Sequence, residues 1–219
     1  FAPIKDSGEL IGLVGVDFSS DYIKKIVNNV SYVTYLILFL LTALSYIAIN
    51  NLFKIHYSSL NTDFMTGLIN RRGFKEAVHY AISDAKRYGI TFTLIILDID
   101  NFKEINDRCG HPYGDKILNN IAHIIKQNTR HSDLSFRYGG DEFAMILPGT
   151  SKEDALLVCR NIQHSIAEDR NFSEDNCHPT MSIGICEWSE EITADEMIKA
   201  ADDAMYLSKD EGKDRIKIC

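Results

Sequence analysis

Two acidic clusters hold the residues best placed to do chemistry in this 219-residue chain. Asp141 and Glu142 follow Gly139 and Gly140, with apolar runs on either side. A glycine pair between apolar runs predicts a tight hairpin, whose turn favours positive φ. Without side chains, the glycines also let a bulky group approach the backbone. Adjacent carboxylates at such a turn suit a hard cation such as Mg²⁺, which takes oxygen ligands and brings phosphates with it. Asp98 and Asp100 end a second apolar run that begins at Thr91, and ligand sites in α/β sheets gather where strands end. Each acid alone also fits a solvated turn or a helix cap. Two acidic strand ends in one small domain are what a Mg²⁺–phosphate site requires.

The elements that must position these acids follow from patterning. Helix 71–88 precedes strand 91–98, helix 112–129 (with Pro112 in its first turn), strands 134–138 and 142–147, helix 152–168 and strand 180–187. Helix 194–209 and a short strand 215–218 close the order. This predicts an α+β domain with a ferredoxin-like βαββαβ core, the plan also used by nucleotide cyclases and polymerase palms. Fold alone does not confer activity.

The residues Arg137-Tyr138-Gly139-Gly140-Asp141-Glu142-Phe143 resemble the signature of GGDEF domains, the diguanylate cyclases. Further blocks agree in order: 63–72, which is similar to the family's opening motif; 98–107, to its first metal and substrate loop; 110–115; 182–185; and 200–209, to its closing helix. The resemblance implies that Mg²⁺ or Mn²⁺ is held by Asp98, the Ile99 carbonyl, Asp141 and Glu142, with Asp141 or Glu142 as the catalytic base. It implies guanine recognition by Asn106 and Asp115, phosphate contacts from Lys103 and Lys209, and GTP contacts at Phe102, Gly139, Gly140 and Lys213. The types make sense: an amide donates and accepts, and a carboxylate accepts from the guanine N1–H and N2–H₂, so adenine would leave polar groups unpaired. The implied reaction joins two GTP into cyclic di-GMP and pyrophosphate across a homodimer. A catalytically silent GTP or cyclic di-GMP receptor is the alternative.

Two departures matter. The family's Lys-x-x-Gly-Arg-Asn reads Lys209-Asp210-Glu211-Gly212-Lys213-Asp214 here, which keeps the charge but loses arginine's bidentate fork. Met65 stands for leucine in the opening motif. Arg130 and Asp133 lie at the offset of the family's Arg-x-x-Asp inhibitory site, where cyclic di-GMP binds. Arginine can grip phosphate and stack on guanine while the acid accepts from the base edge. The second arginine that often completes such a site is not identified by the sequence.

Residues 30–49 carry no charge, and twenty helical residues span roughly 30 Å, the thickness of a bilayer's hydrocarbon. They are read as a transmembrane helix. Residues 1–29 are read as the remnant of an extracytoplasmic, Cache-like sensor, 50–62 as a helical linker, and 63–219 as the catalytic domain. Lysines flank both ends, so charge does not orient the span. Cytosolic GTP places the domain inside a bacterial inner membrane. The formal charge of −8 argues against nucleic-acid partners. The five cysteines form no zinc motif and are read as reduced thiols.

Overall fold

The computed structural model describes residues 2–14, 20–172 and 177–219. Phe1 and residues 15–19 of the expected sensor remnant lie outside the described residues. Contacts divide the chain into two units, Phe1–Tyr57 and Ser58–Cys219.

In the first unit, β1 (Ala2–Asp6) and β2 (Glu9–Val14) pair antiparallel. The turn between them uses Ser7 and Gly8, both at positive φ. Helix α1 runs from Ser20 to Leu60, longer than the expected span. Its stretch Ser20–Ile47 is long and apolar enough to cross a membrane by length and composition. Tyr32, Tyr35 and Leu38 on it are exposed.

The second unit runs β3 (Ile69–Asn70), α2 (Arg71–Tyr88), β4 (Phe92–Ile99), α3 (Phe102–Cys109), α4 (His111–Asn128), β5 (Leu134–Arg137), β6 (Glu142–Pro148), α5 (Lys152–Glu168), a 3-10 turn at Arg170–Phe172, β7 (Met181–Glu187), α6 (Ala194–Asp210) and β8 (Ile216–Ile218). Its sheet order is β3-β5-β6-β4-β7-β8. The inner four strands pair antiparallel with one another, with β4 between β6 and β7, and the edge strands β3 and β8 pair parallel to β5 and β7. That is the split βαβ arrangement expected from the pattern.

Every residue of β4 is buried, because helices cover both faces of the sheet and a strand covered on both faces reads as a continuous apolar run. Ile95, Leu97 and Ile99 face one core with Phe143, Met145, Ile117, Ile121 and Ile162. Leu94 and Ile96 face the other with Phe74, Phe136, Ala144, Met197 and Met205. The alternation follows the period of two along a strand. Local signals set the helix ends. Asn70 caps α2 by accepting from the Arg72 and Gly73 N–H groups, and Thr193 with Glu196 forms a capping box at the start of α6.

Two expectations change here. The segment after Asp100 is not all loop: Phe102–Cys109 is a helix, joined to α4 through Gly110 at φ 84°. The cysteines are also not scattered: Cys109 lies against Cys177, and Cys186 against Cys219, while Cys159 is buried apart from them. Separations of 68 and 33 residues carry no motif, so only the tertiary fold brings these partners together.

Candidate functional site

The acids of the two clusters meet at the open ends of β4 and β6. Asp98 and Glu142 are direct cross-strand partners, and the Ile99 N–H donates to the Asp141 carbonyl at 3.2 Å. The hairpin closes through Tyr138 N–H and Gly139 N–H, which both donate to the Glu142 carbonyl, at 2.8 and 3.1 Å. Neither Gly139 nor Gly140 adopts left-handed backbone, so the positive φ expected of the glycine pair is absent. A Cβ on Gly139 would collide with Glu142 Oε2, whereas one on Gly140 would meet nothing within 4 Å. The absence of a Cβ on Gly139 lets the Glu142 side chain lie against the turn.

Arg137 fixes the turn from outside. Its Nη2 donates to the Gly140 carbonyl at 2.8 Å, and its Nη1 pairs with Asp63 at 3.2 Å. Thr66 also donates to that carboxylate through its backbone N–H and its hydroxyl. Neighbouring donors thus hold the Asp63 carboxyl below its ordinary pKa, against the opposing effect of burial. The opening motif is thereby tied to the hairpin, a link between residues 74 apart that the sequence does not announce.

Asp98 is buried, and its Oδ1 lies 2.7 Å from the Lys209 ammonium. The contact is an ion pair by distance, but its angle gives Oδ1 no directed hydrogen bond. Burial raises the Asp98 pKa to about 6; Lys209 opposes that rise, while Asp141 and Glu142 add to it. Glu142 is raised as well, first by burial and then by Asp141 and Asp202, with Lys209 and Arg71 opposing. The site is therefore a knot of under-neutralised carboxylates, in which one lysine serves as the nearby counter-ion.

No three acidic, histidine or cysteine side chains converge into a finished metal cage among the described residues. The donor set nonetheless fits a hard divalent ion. It is all oxygen, its charges repel one another, and Mg²⁺ characteristically uses one or two carboxylates and fills its remaining positions with water and phosphate oxygens.

Around this knot, Asn106 on α3 lies over Gly114 on α4, so closely that a Cβ at Gly114 would strike its Oδ1 and crowd the Phe102 ring. Gly114, legible in the sequence only as part of the 110–115 block, makes room for the Asn106 side chain. Asp115 is exposed and lines a cavity of about 620 Å³ with Pro112, Lys116 and Asn119. Lys103 is exposed on the first turn of α3. The Lys213 ammonium meets Asn101 Oδ1, just beyond β4.

Arg130 and Asp133 belong elsewhere. They lie in a separate cavity of about 350 Å³ lined also by Gly67, Lys126 and Thr129. There the Asp133 carboxylate accepts from the Arg130 backbone N–H at 2.6 Å. The second cation of this cavity is Lys126, whose ammonium donates to the Gly67 carbonyl at 3.0 Å; sequence reasoning had sought an arginine.

Residues 60–215 match the family profile described as "Diguanylate cyclase, GGDEF domain". The chain belongs to this family. Among GGDEF structures, the GGDEF domain of DgcB from Caulobacter crescentus, solved in complex with c-di-GMP, is 32% identical with a TM-score of 0.68, and the match covers 72% of this chain and 95% of that one. Diguanylate cyclase A of Treponema denticola is 33% identical over 231 residues, covering 100% of this chain and 58% of its own length. Diguanylate cyclase DosC of Escherichia coli is 33% identical over 158 residues, covering 71% of this chain and 34% of its own length. The chain thus spans roughly a third to three-fifths of the curated relatives it matches.

Proposed function

We propose that this chain condenses two GTP molecules into cyclic di-GMP, as a membrane-tethered homodimer whose product restrains it. The observation that carries the reading is the cross-strand pair Asp98–Glu142, flanked by Asp141 and Lys209, at the open end of the central sheet. Family membership and a related domain solved with c-di-GMP support it.

In each of two equivalent steps, the 3′-hydroxyl oxygen of one GTP bonds to the α-phosphorus of the other. The bond from that phosphorus to the bridging oxygen breaks, and pyrophosphate departs. The protein's task in such transfers is positioning and charge stabilisation. Asn106 and Asp115 hold the guanine edge, with Phe102 beside them. Gly139 and Gly140 leave the backbone open to the phosphates, which Lys103, Lys209 and Lys213 attract. Asp98, the Ile99 carbonyl, Asp141 and Glu142 would hold Mg²⁺ or Mn²⁺, which supplies charge neutralisation to the triphosphate and acidifies the attacking hydroxyl. A turn carboxylate accepts the hydroxyl proton, and Glu142, whose pKa is raised by burial, is suited to do so. To reach phosphate, Lys209 leaves Asp98, which frees that carboxylate for the metal it would hold.

One domain holds one GTP, so two copies must face each other. The helix Ser20–Ile47 is long and apolar enough to anchor the chain in a membrane, leaving 50–62 to pass a signal to a cytosolic domain. The cavity of Arg130 and Asp133 fits a cyclic dinucleotide brake, with Lys126 as the second cation.

The test is to incubate the full chain in detergent with GTP and Mg²⁺ and detect cyclic di-GMP by mass. Product should vanish in Asp141→Ala and accumulate further in Arg130→Ala. A folded, GTP-binding dimer that makes none would overturn the cyclase reading and leave a nucleotide receptor.

A further inference from the structure

Asp100 is buried at 3% exposure, and the proposed chemistry gives it no task. Its carboxylate accepts from the Ser182 hydroxyl at 2.7 Å, the Thr180 hydroxyl at 2.7 Å and the Asp214 backbone N–H at 3.0 Å. Its own N–H donates to the Thr180 carbonyl at 2.9 Å. The side chain therefore joins the end of β4, the start of β7 and the turn after α6.

That turn needs holding. Lys213 and Asp214 both have positive φ, 62° and 47°, a region that non-glycine residues enter rarely and at a cost. Two backbone bonds brace its ends, Lys213 N–H to the Ser208 carbonyl at 3.1 Å and Ile183 N–H to the Arg215 carbonyl at 2.9 Å. Between them, Asp100 holds the Asp214 backbone N–H, while Gln163 Nε2 donates to the Asp214 side-chain carboxylate at 3.2 Å. Asn101, the next residue along, receives the Lys213 ammonium on its Oδ1. Consecutive residues beyond the metal-type strand end thus hold the backbone and the side chain of one turn. A carboxylate can only accept, with room for several donors, so two hydroxyls and an amide N–H fix its orientation although the Asp214 carboxylate nearby repels it.

We propose that Asp100 is a positioning residue, one that locks the 212–215 turn so that Lys213 is presented to the nucleotide phosphates beside Asp98. This rests on the proposed reading of Lys213 as a phosphate contact. The positioning matters more in this chain because lysine stands where the family's arginine would reach phosphate with a bidentate fork. A single ammonium on a flexible stem gains most from a fixed base.

The experiment is a double-mutant cycle on the full chain in detergent, read by calorimetric titration with the α,β-methylene analogue of GTP. Asp100→Ala and Lys213→Ala should each weaken binding about tenfold, and the double variant also about tenfold, since linked residues are not additive. Asp100→Asn, which keeps an oxygen for the Asp214 N–H while Ser182 turns to accept from the amide, should stay within about threefold of the parent. A double variant near a hundredfold, or an asparagine as damaging as alanine, would overturn positioning in favour of a charge or folding role.

Should Asp100→Ala fail to fold, Thr180→Val with Ser182→Ala frees the carboxylate without removing it. It takes the same place in the cycle, with the same expected non-additivity. If the parent binds the analogue but forms no cyclic di-GMP from GTP, the proposed function fails while the coupling is still read. If it binds neither, hydrogen exchange decides. Amides of 211–216 should exchange faster in Asp100→Ala than in the parent or in Asp100→Asn, and unchanged exchange would sink the inference.

Discussion

Asp98 and Asp100 sit two residues apart at the end of one strand, both almost wholly buried, yet their surroundings are opposite. Asp98 faces two other acids and one lysine, lacks a directed hydrogen bond on Oδ1, and is lifted to about 6. Asp100 is saturated by two hydroxyls and a backbone amide. Buried polar groups are normally satisfied, and exceptions mark functional sites. The pair shows where the fold has left a carboxylate available for a ligand and where it has used one as a tie.

Removing each carboxylate should separate the two roles most sharply. Asp98→Asn should cut cyclic di-GMP formation by about a thousandfold or more, with a thermal midpoint no lower than the parent's at neutral pH, because it deletes a buried charge that its neighbours repel. Asp100→Ala should instead cost about 2 kcal/mol of stability, the penalty of orphaning buried donors, measured by denaturant unfolding. Equal loss of stability in both would erase the distinction.

The hairpin glycines offer a second contrast. Gly139→Ala forces Glu142 away and should lower the rate by about tenfold to a hundredfold. Gly140→Ala meets no protein atom, so it can disturb only the approach of phosphate to the turn, and it should lower the rate less than Gly139→Ala does. Steady-state rates on both variants check this.

A third contrast lies in pH. The folded pKa of Asp98, about 6, stands above its ordinary 3.8. Between these values the native state binds more protons than the unfolded one, so stability falls as pH rises through that window. Asp98→Asn should flatten that part of the profile. Mn²⁺ affinity, which needs the carboxylate, should rise over the same window. A parent whose stability climbs between pH 4 and 6 by the same amount as the variant's would contradict the assignment.

The smallest effect should come from outside the site. Thr193→Ala breaks the capping box of α6 and should cost about 1 kcal/mol while leaving the KM for GTP unchanged.

Much of this was legible in the sequence because it is local. Apolar periodicity placed the central strands and most helices within a residue or two, and the turn acids at 141 and 142 stood out by type. What failed was also instructive. Helix α3 was hidden because its eight residues, Phe102–Cys109, are mostly polar and its N-cap Asn101 is left-handed, with no side-chain cap to signal a start. Gly139 was expected to supply positive φ and open backbone; it has no positive φ, and the Glu142 side chain lies against it.

By itself, the sequence determined the family, the order of the elements other than β3 and α3, and the chemical types at the strand ends, because these depend on neighbours within a few residues. Only the tertiary structure decided which acids face each other. It engaged Lys209 with Asp98, closed Arg137 on Asp63, tied Lys126 to the Gly67 carbonyl, and gave Asp100 its partners 80, 82 and 114 residues away. The physical reason is that side-chain environment, unlike side-chain identity, is created by strand register and helix packing between distant segments.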